Sequence, residues 1–91
     1  MSITVRIPAP LQAVAGNRLE VEADGGTIAE LLADLDNRFP GFRQRVYDET
    51  GRLRRFLNVY VNQEDIRFLS GETTPIKDGD EVSIVPAVAG G

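Results

Sequence analysis

Apolar and polar residues alternate at the start of the chain, where Ile3, Val5 and Ile7 are separated by Thr4 and Arg6. A period of two is that of a strand with one buried face, so a first strand is predicted here, ended by Pro8-Ala9-Pro10. Gly16-Asn17 is a turn signal. Leu19, Val21 and Ala23 then alternate with Glu20 and Glu22, which predicts a second half-buried strand joined to the first by a long hairpin loop. After Asp24-Gly25-Gly26 the period changes. Ile28, Leu31, Leu32, Leu35 and Phe39 recur at helical spacing and form one apolar stripe, while Glu30, Asp34, Asp36 and Arg38 fall off it and belong in water. Thr27 and Glu30 have the capping-box spacing, in which hydroxyl and carboxylate each accept from an N–H that a helix start leaves unpaired. Pro40-Gly41 ends the helix.

In the next stretch, residues 42–55, Phe42, Val46 and Tyr47 fit one side of a short helical turn, and Asp48-Glu49-Thr50-Gly51 reads as a reverse turn. The clearest strand pattern is Phe56 to Asn62. Leu57, Val59 and Val61 share one face, and Phe56, Asn58, Tyr60 and Asn62 share the other. Asn62-Gln63-Glu64-Asp65 is a polar turn, with Ile66 and Phe68 about Arg67 as a short return strand. Asp78-Gly79-Asp80 is a tight turn, and Val82 and Ile84 face inward on a last strand from Glu81 to Val85. The order strand, strand, helix, strand, short strand, strand calls for a two-layer α+β domain, its one amphipathic helix covering one sheet. At 91 residues a single small domain is expected.

Composition narrows the chemistry. The chain has no cysteine and no histidine, which removes thiolate and imidazole nucleophiles, bases and metal ligands together. The net charge is -4, against nucleic acid as a partner. No apolar run approaches membrane-spanning length, and Met1 to Arg6 lacks the features of a signal peptide, so no membrane is expected and the cytoplasm is the expected location. Two readings stand for Arg43, Arg45, Arg52, Arg54 and Arg55: a solvated loop, or a docking patch for an acidic partner. Gly25-Gly26 is read as a flexible connection rather than an anion site. Asp78-Gly79-Asp80 is read as a turn rather than a cation site. Phe56 and Tyr60 lie opposite the aliphatic face of their strand. They are either an exposed docking pair or covered by a loop.

The end of the chain carries the most information. Pro86 has no N–H to give to a strand ladder, so the strand should stop at Val85. A domain of residues 1–86 is then followed by a flexible tail, Ala87-Val88-Ala89-Gly90-Gly91, which is small and uncharged. Two terminal glycines suit entry into a narrow channel, because they add no side chain and adopt conformations closed to other residues.

Three features together resemble the ubiquitin-like sulfur carrier proteins: the element order, the Asp78-Gly79-Asp80 turn before a final strand, and the ending Pro86 to Gly91. Arg55 to Phe68 and Val85 to Gly91 look like the branch that serves an alternative route to cysteine. The resemblance implies a β-grasp fold, one mixed sheet of four to five strands packed against one main helix, with the first and last strands side by side in the middle. It also implies a function. Gly91 would be adenylated by an E1-like enzyme using ATP and converted to a thiocarboxylate, with Ala87, Val88, Ala89 and Gly90 threading the partner's channel. The carrier itself would bind no cofactor and have no catalytic residues. Phe56, Tyr60, Arg54 and Arg55 would form a docking surface. The implied partners are a PLP-dependent cysteine synthase as acceptor and a JAMM-type metallopeptidase that releases the product. Alternatives are the large subunit of molybdopterin synthase as acceptor, or a ubiquitin-like modifier. Lys77 is the single lysine and so the one side-chain site for lysine-linked chains. A third reading is an interaction module with an inert tail.

Overall fold

A computed structural model of the chain describes residues 2–86; Met1 and the predicted tail, Ala87 to Gly91, lie outside the described residues. The strands are β1 (Ile3–Arg6), β2 (Glu20–Ala23), β3 (Leu57–Val61), β4 (Glu64–Asp65) and β5 (Glu81–Pro86), and the helices are α1 (Ala9–Gln12), α2 (Ile28–Arg38) and α3 (Phe42–Val46). They form a five-stranded sheet in the order β2-β1-β5-β3-β4. β1 runs antiparallel to β2 and parallel to β5, with Val5 beside both Val21 and Val82. β3 lies antiparallel to β5, with Val59 opposite Ile84. The first and last strands are therefore adjacent at the sheet's centre, as the β-grasp expectation requires.

The stripe on α2 explains why the sheet has one covered face. Ile28, Leu31, Leu32 and Leu35 are fully buried and share one cluster with Val5, Val59, Val82 and Ile84 of the sheet. Burying an aliphatic side chain of this size contributes roughly 1.5–3 kcal/mol, so the helix–sheet contact is the main source of stability. α3 adds Phe42 and Val46 to the same core, with Tyr47 just after it. Among the described residues no helix is long and apolar enough to cross a membrane.

The start of α2 uses the predicted cap in altered form. Thr27 Oγ1 accepts from the Glu30 N–H at 3.2 Å, as the spacing requires. The Glu30 carboxylate instead accepts from the Gly26 N–H at 2.8 Å, one residue before the cap. The chain's own carboxylate thus occupies the place where an external anion would sit. Gly25 is a close-approach glycine rather than a loose connection. A Cβ there would lie 2.7 Å from the Leu31 backbone nitrogen.

Several boundaries depart from the sequence reading. Residues Ala9–Gln12 form α1 inside the expected long loop, with proline in the first turn, where a helix needs no N–H. Leu11 and Ala15 from this connection fill the core at that end, leaving Leu19 outside at 69% exposure. The turn after β3 is Asn62-Gln63, both at positive φ, and Glu64 and Asp65 already pair back with Val61 and Tyr60. The predicted return strand over Ile66 to Phe68 is a 3-10 turn. The Asp65 carboxylate accepts from the Arg67 N–H at 2.8 Å and closes the chain locally, which ends the ladder. Pro86 does not stop β5 at Val85 but is its last residue, opposite Leu57. It is tolerated because β1 accompanies β5 only as far as Ser83, so Pro86 sits where one side of the strand is already unpaired. The Asp78-Gly79-Asp80 turn is found as expected, with Gly79 at φ 90° and the Lys77 N–H bonded to the Asp80 carboxylate at 2.9 Å.

Two substitutions test this account of the α2 start by urea unfolding. Thr27→Ala should cost about 1 kcal/mol, the usual cost of losing such a cap. Gly25→Ala should cost about 1–3 kcal/mol, because the new methyl meets helix backbone that cannot move aside cheaply. A Gly25→Ala chain as stable as the parent would show that the approach of loop to helix is not tight.

Candidate functional site

β5 is the element that aims the chain's end. It is held on both sides over Glu81–Ser83, and on the β3 side as far as Pro86. The residue opposite Pro86 is Leu57, so Phe56 and the two arginines before it stand beside the root of the tail. Gly91, Gly90, Ala89, Val88 and Ala87 themselves lie outside the described residues.

The proposed docking residues divide. Phe56 is 55% exposed in the turn that leads into β3. That turn is closed by the Leu57 N–H donating to the Arg54 carbonyl at 3.0 Å, and Arg55 is exposed within it. Arg54 is half-buried. Its guanidinium donates to the Gln44 carbonyl at 2.9 Å, and its N–H donates to the Val46 carbonyl, tying α3 to the entry of β3. Tyr60 is half-buried on the open face of the sheet, between Ser83 of β5 and Asp65 of β4 in register. The structure therefore groups Arg54, Arg55 and Phe56, and sets Tyr60 apart within the sheet rather than as an exposed partner of Phe56.

A cleft of about 400 Å³ runs along this group, lined among others by Arg54, Arg55, Leu57, Asn58, Asp65 and Arg67. Asp65 and Arg67 are not legible as site residues, because Asp65 reads as the end of a polar turn and Arg67 as the outward position of a short strand. The Asp65 side chain is 7% exposed and receives the Arg67 guanidinium, with Nη2 to Oδ2 at 2.6 Å. Hydrogen bonds from the Arg67 side chain, which outweigh the opposing effect of burial, and a further one from its N–H hold the Asp65 carboxyl below the usual range. Phe68, which the expected strand puts on the same face as the buried Ile66, is at 83% exposure the most exposed of the large apolar residues. Elsewhere on the open face Arg6 bridges Glu81 at 2.8 Å and Glu20 at 3.5 Å, exposed pairs that contribute little to stability. Among the described residues no cluster of acidic side chains could hold a metal ion.

A mixed five-stranded sheet with its first and last strands side by side near the middle and one long helix packed across it defines a β-grasp, ubiquitin-like fold. The chain belongs to the ThiS family, which matches residues 5–91, and is a ubiquitin-like sulfur carrier. It is 45% identical over 93 residues to the sulfur carrier protein CysO of Mycobacterium tuberculosis, covering 100% of both chains. The crystal structure of the Amycolatopsis orientalis BexX/CysO complex matches with a TM-score of 0.89 and 46% identity, covering 98% of this chain and 99% of that one. The crystal structure of Mycobacterium tuberculosis CysO matches with a TM-score of 0.90 and 43% identity, covering 94% and 99%. Proteins of this kind are small carriers, not catalysts.

Asp65 gives a pH prediction. Its carboxyl is held below its unfolded value of about 3.9, so its contribution to stability is complete above that value. The contribution is lost as the pH falls through the lower folded value. Thermal melts of the parent and of Asp65→Asn between neutral pH and strong acid should therefore converge as the pH falls below that of a free aspartate. Parallel curves over that range would remove Asp65 from the acid response.

Proposed function

We propose that this chain carries sulfur as a thiocarboxylate on Gly91 and donates it for cysteine biosynthesis. The observation that carries the reading is the full-length similarity to CysO, in a family match that extends through Gly91. A carboxylate is a poor acyl donor, so activation comes first. In an E1-like enzyme the Gly91 carboxylate attacks the α-phosphate of ATP and releases pyrophosphate. The terminal sulfur of a persulfide then displaces AMP from the acyl carbon. A second thiol splits the sulfur–sulfur bond, leaving the thiocarboxylate and a disulfide.

The acceptor in this reading is an aminoacrylate held by a PLP-dependent cysteine synthase. A JAMM-type metallopeptidase then frees the cysteine from Gly91. The chain's part is presentation. It supplies the reacting carboxylate and no cysteine or histidine of its own. Ala87, Val88, Ala89 and Gly90 give a slim lead into a deep site. Ordering them costs roughly 1–2 kcal/mol per residue, which contacts to the folded domain must offset. Arg54, Arg55 and Phe56 stand beside the tail's root and are the nearest described groups to supply them. The Amycolatopsis orientalis BexX/CysO complex, in which a CysO protein is seen with a second protein, supports a protein partner for this chain.

The test is intact mass after incubation with ATP, a sulfur donor and a candidate E1-like enzyme. One oxygen should be replaced by sulfur, and the change should vanish when Gly90 and Gly91 are deleted. A Gly-Gly remnant on lysines of cellular proteins, with no thiocarboxylate, would overturn the reading in favour of a modifier. Phe56→Ala should slow thiocarboxylate formation while moving stability by no more than about 0.5 kcal/mol, the usual range for an exposed position. Unchanged kinetics would exclude Phe56 from docking.

A further inference from the structure

Fourteen acidic side chains outnumber ten basic ones in this chain, yet one region leaves its arginines without carboxylate partners. Among the described residues the ion pairs engage Arg6, Arg38 and Arg67. None engages Arg43, Arg45, Arg52, Arg54 or Arg55, which hold half of the chain's basic residues within thirteen positions.

The reason is visible in what the neighbouring carboxylates do. Asp36 accepts from the backbone N–H groups of Gly41 and Arg43, at 3.2 and 3.0 Å, and so caps α3. Asp48 accepts from the N–H and hydroxyl of Thr50 and from the Arg52 N–H, and so shapes the loop after α3. Glu72 accepts from the Tyr47 hydroxyl. These acids hold the segment's shape and form no ion pair with its arginines. The segment is also braced. Arg43 lies 5.0 Å from the centre of the Tyr47 ring, and Arg54 is fixed on the Gln44 carbonyl. A cleft of about 610 Å³ between Arg43, Tyr47, Glu49 and Arg54 borders it. Arg54 and Arg55 also line the other cleft, of about 400 Å³, together with Leu57, the residue in register with Pro86.

We propose that the arginine surface from α3 to the turn before β3 docks a carboxylate-rich surface of the protein that takes the tail. The inference rests on the carrier reading above for the identity of that protein. Guanidinium groups without an ion-pair partner, on a braced support, lose little freedom when paired, and planar forks match carboxylates two bonds at a time. A protein surface fits better than a nucleic acid. The whole chain carries -4, and Glu20 and Glu22 on the far edge strand would repel an extended polyanion.

Two measurements on the full chain decide it. In the first, an octaglutamate peptide is titrated into isotope-labelled chain while amide resonances are followed. Shifts should be confined to residues 43–56, should disappear in the combined Arg45→Glu, Arg52→Glu, Arg55→Glu variant, and should persist in Arg18→Glu. Shifts elsewhere, or none, overturn the proposal, as does tighter binding of a short DNA duplex to the same amides. In the second, the triple variant is assayed for thiocarboxylate formation with the activating enzyme. Its kcat/KM should fall about tenfold or more with kcat unchanged, and the salt dependence of the parent should flatten. If the parent is converted and the triple variant keeps pace, the docking surface is wrong and the carrier reading stands. If the parent is never converted, the carrier reading fails, and the peptide titration still decides the surface.

Discussion

The parallel pairing of β1 with β5 is the constraint on which the molecule depends. It joins the two ends of the chain, Thr4 beside Glu81 and Arg6 beside Ser83, at the centre of the sheet. Parallel neighbours cannot be linked by a tight turn, so everything between them must cross over, and α2 is the crossover that covers the buried face. The junction is fastened at the Asp78-Gly79-Asp80 turn. The Ser2 N–H donates to the Asp78 carboxylate at 2.7 Å, and the Thr4 N–H donates to the Asp80 carbonyl at 3.2 Å. β5 lies between β1 and β3 over Glu81–Ser83 and is held by β3 alone from Ile84 to Pro86, so β3 sets the direction in which it ends.

Acidic side chains serve a second purpose in this small domain. Asp36, Asp48 and Asp65 each accept backbone N–H groups where the chain changes direction, and Asp34 does so for Asp24. A short chain has many helix starts and turns for its size, and each leaves donors that need partners. Asp34 and Asp65 also pair with Arg38 and Arg67, whereas Asp36 and Asp48 form no ion pair with the arginines near them, so net charge is a poor guide to the sign of a particular surface. An acidic protein can thus display a basic face.

Local periodicity made most of the fold legible. The stripe from Ile28 to Phe39 and the alternation from Leu57 to Val61 each admit one periodic element, and the core residues follow from them. What escaped was decided by long-range contacts or by single side chains. Leu19 fits its strand pattern, but Leu11 and Ala15 had already filled that end of the core. Ile66 to Phe68 alternates like a strand, yet the Asp65 side chain closes a turn there. Gly25 reads as a loop residue until the Leu31 backbone is seen against it. The tail's composition and spacing were legible without any structure, because reach and slimness are properties of the residues themselves. The grouping of Arg54 and Arg55 with Phe56, and the separation of Tyr60, required the register of β3 against β5.

The position of Lys77 has a practical consequence. It is the single lysine, it is exposed, and it lies just before the turn that opens β5, at the opposite end of that strand from Pro86. At about 3.3 Å per residue, the six residues of β5 separate the two ends by roughly 17 Å. With the terminal amine blocked first, at a pH where lysine is still protonated, amine-directed chemistry would install one dye or affinity handle there, away from Pro86. The chain could then be immobilised or followed by fluorescence with its working end unencumbered.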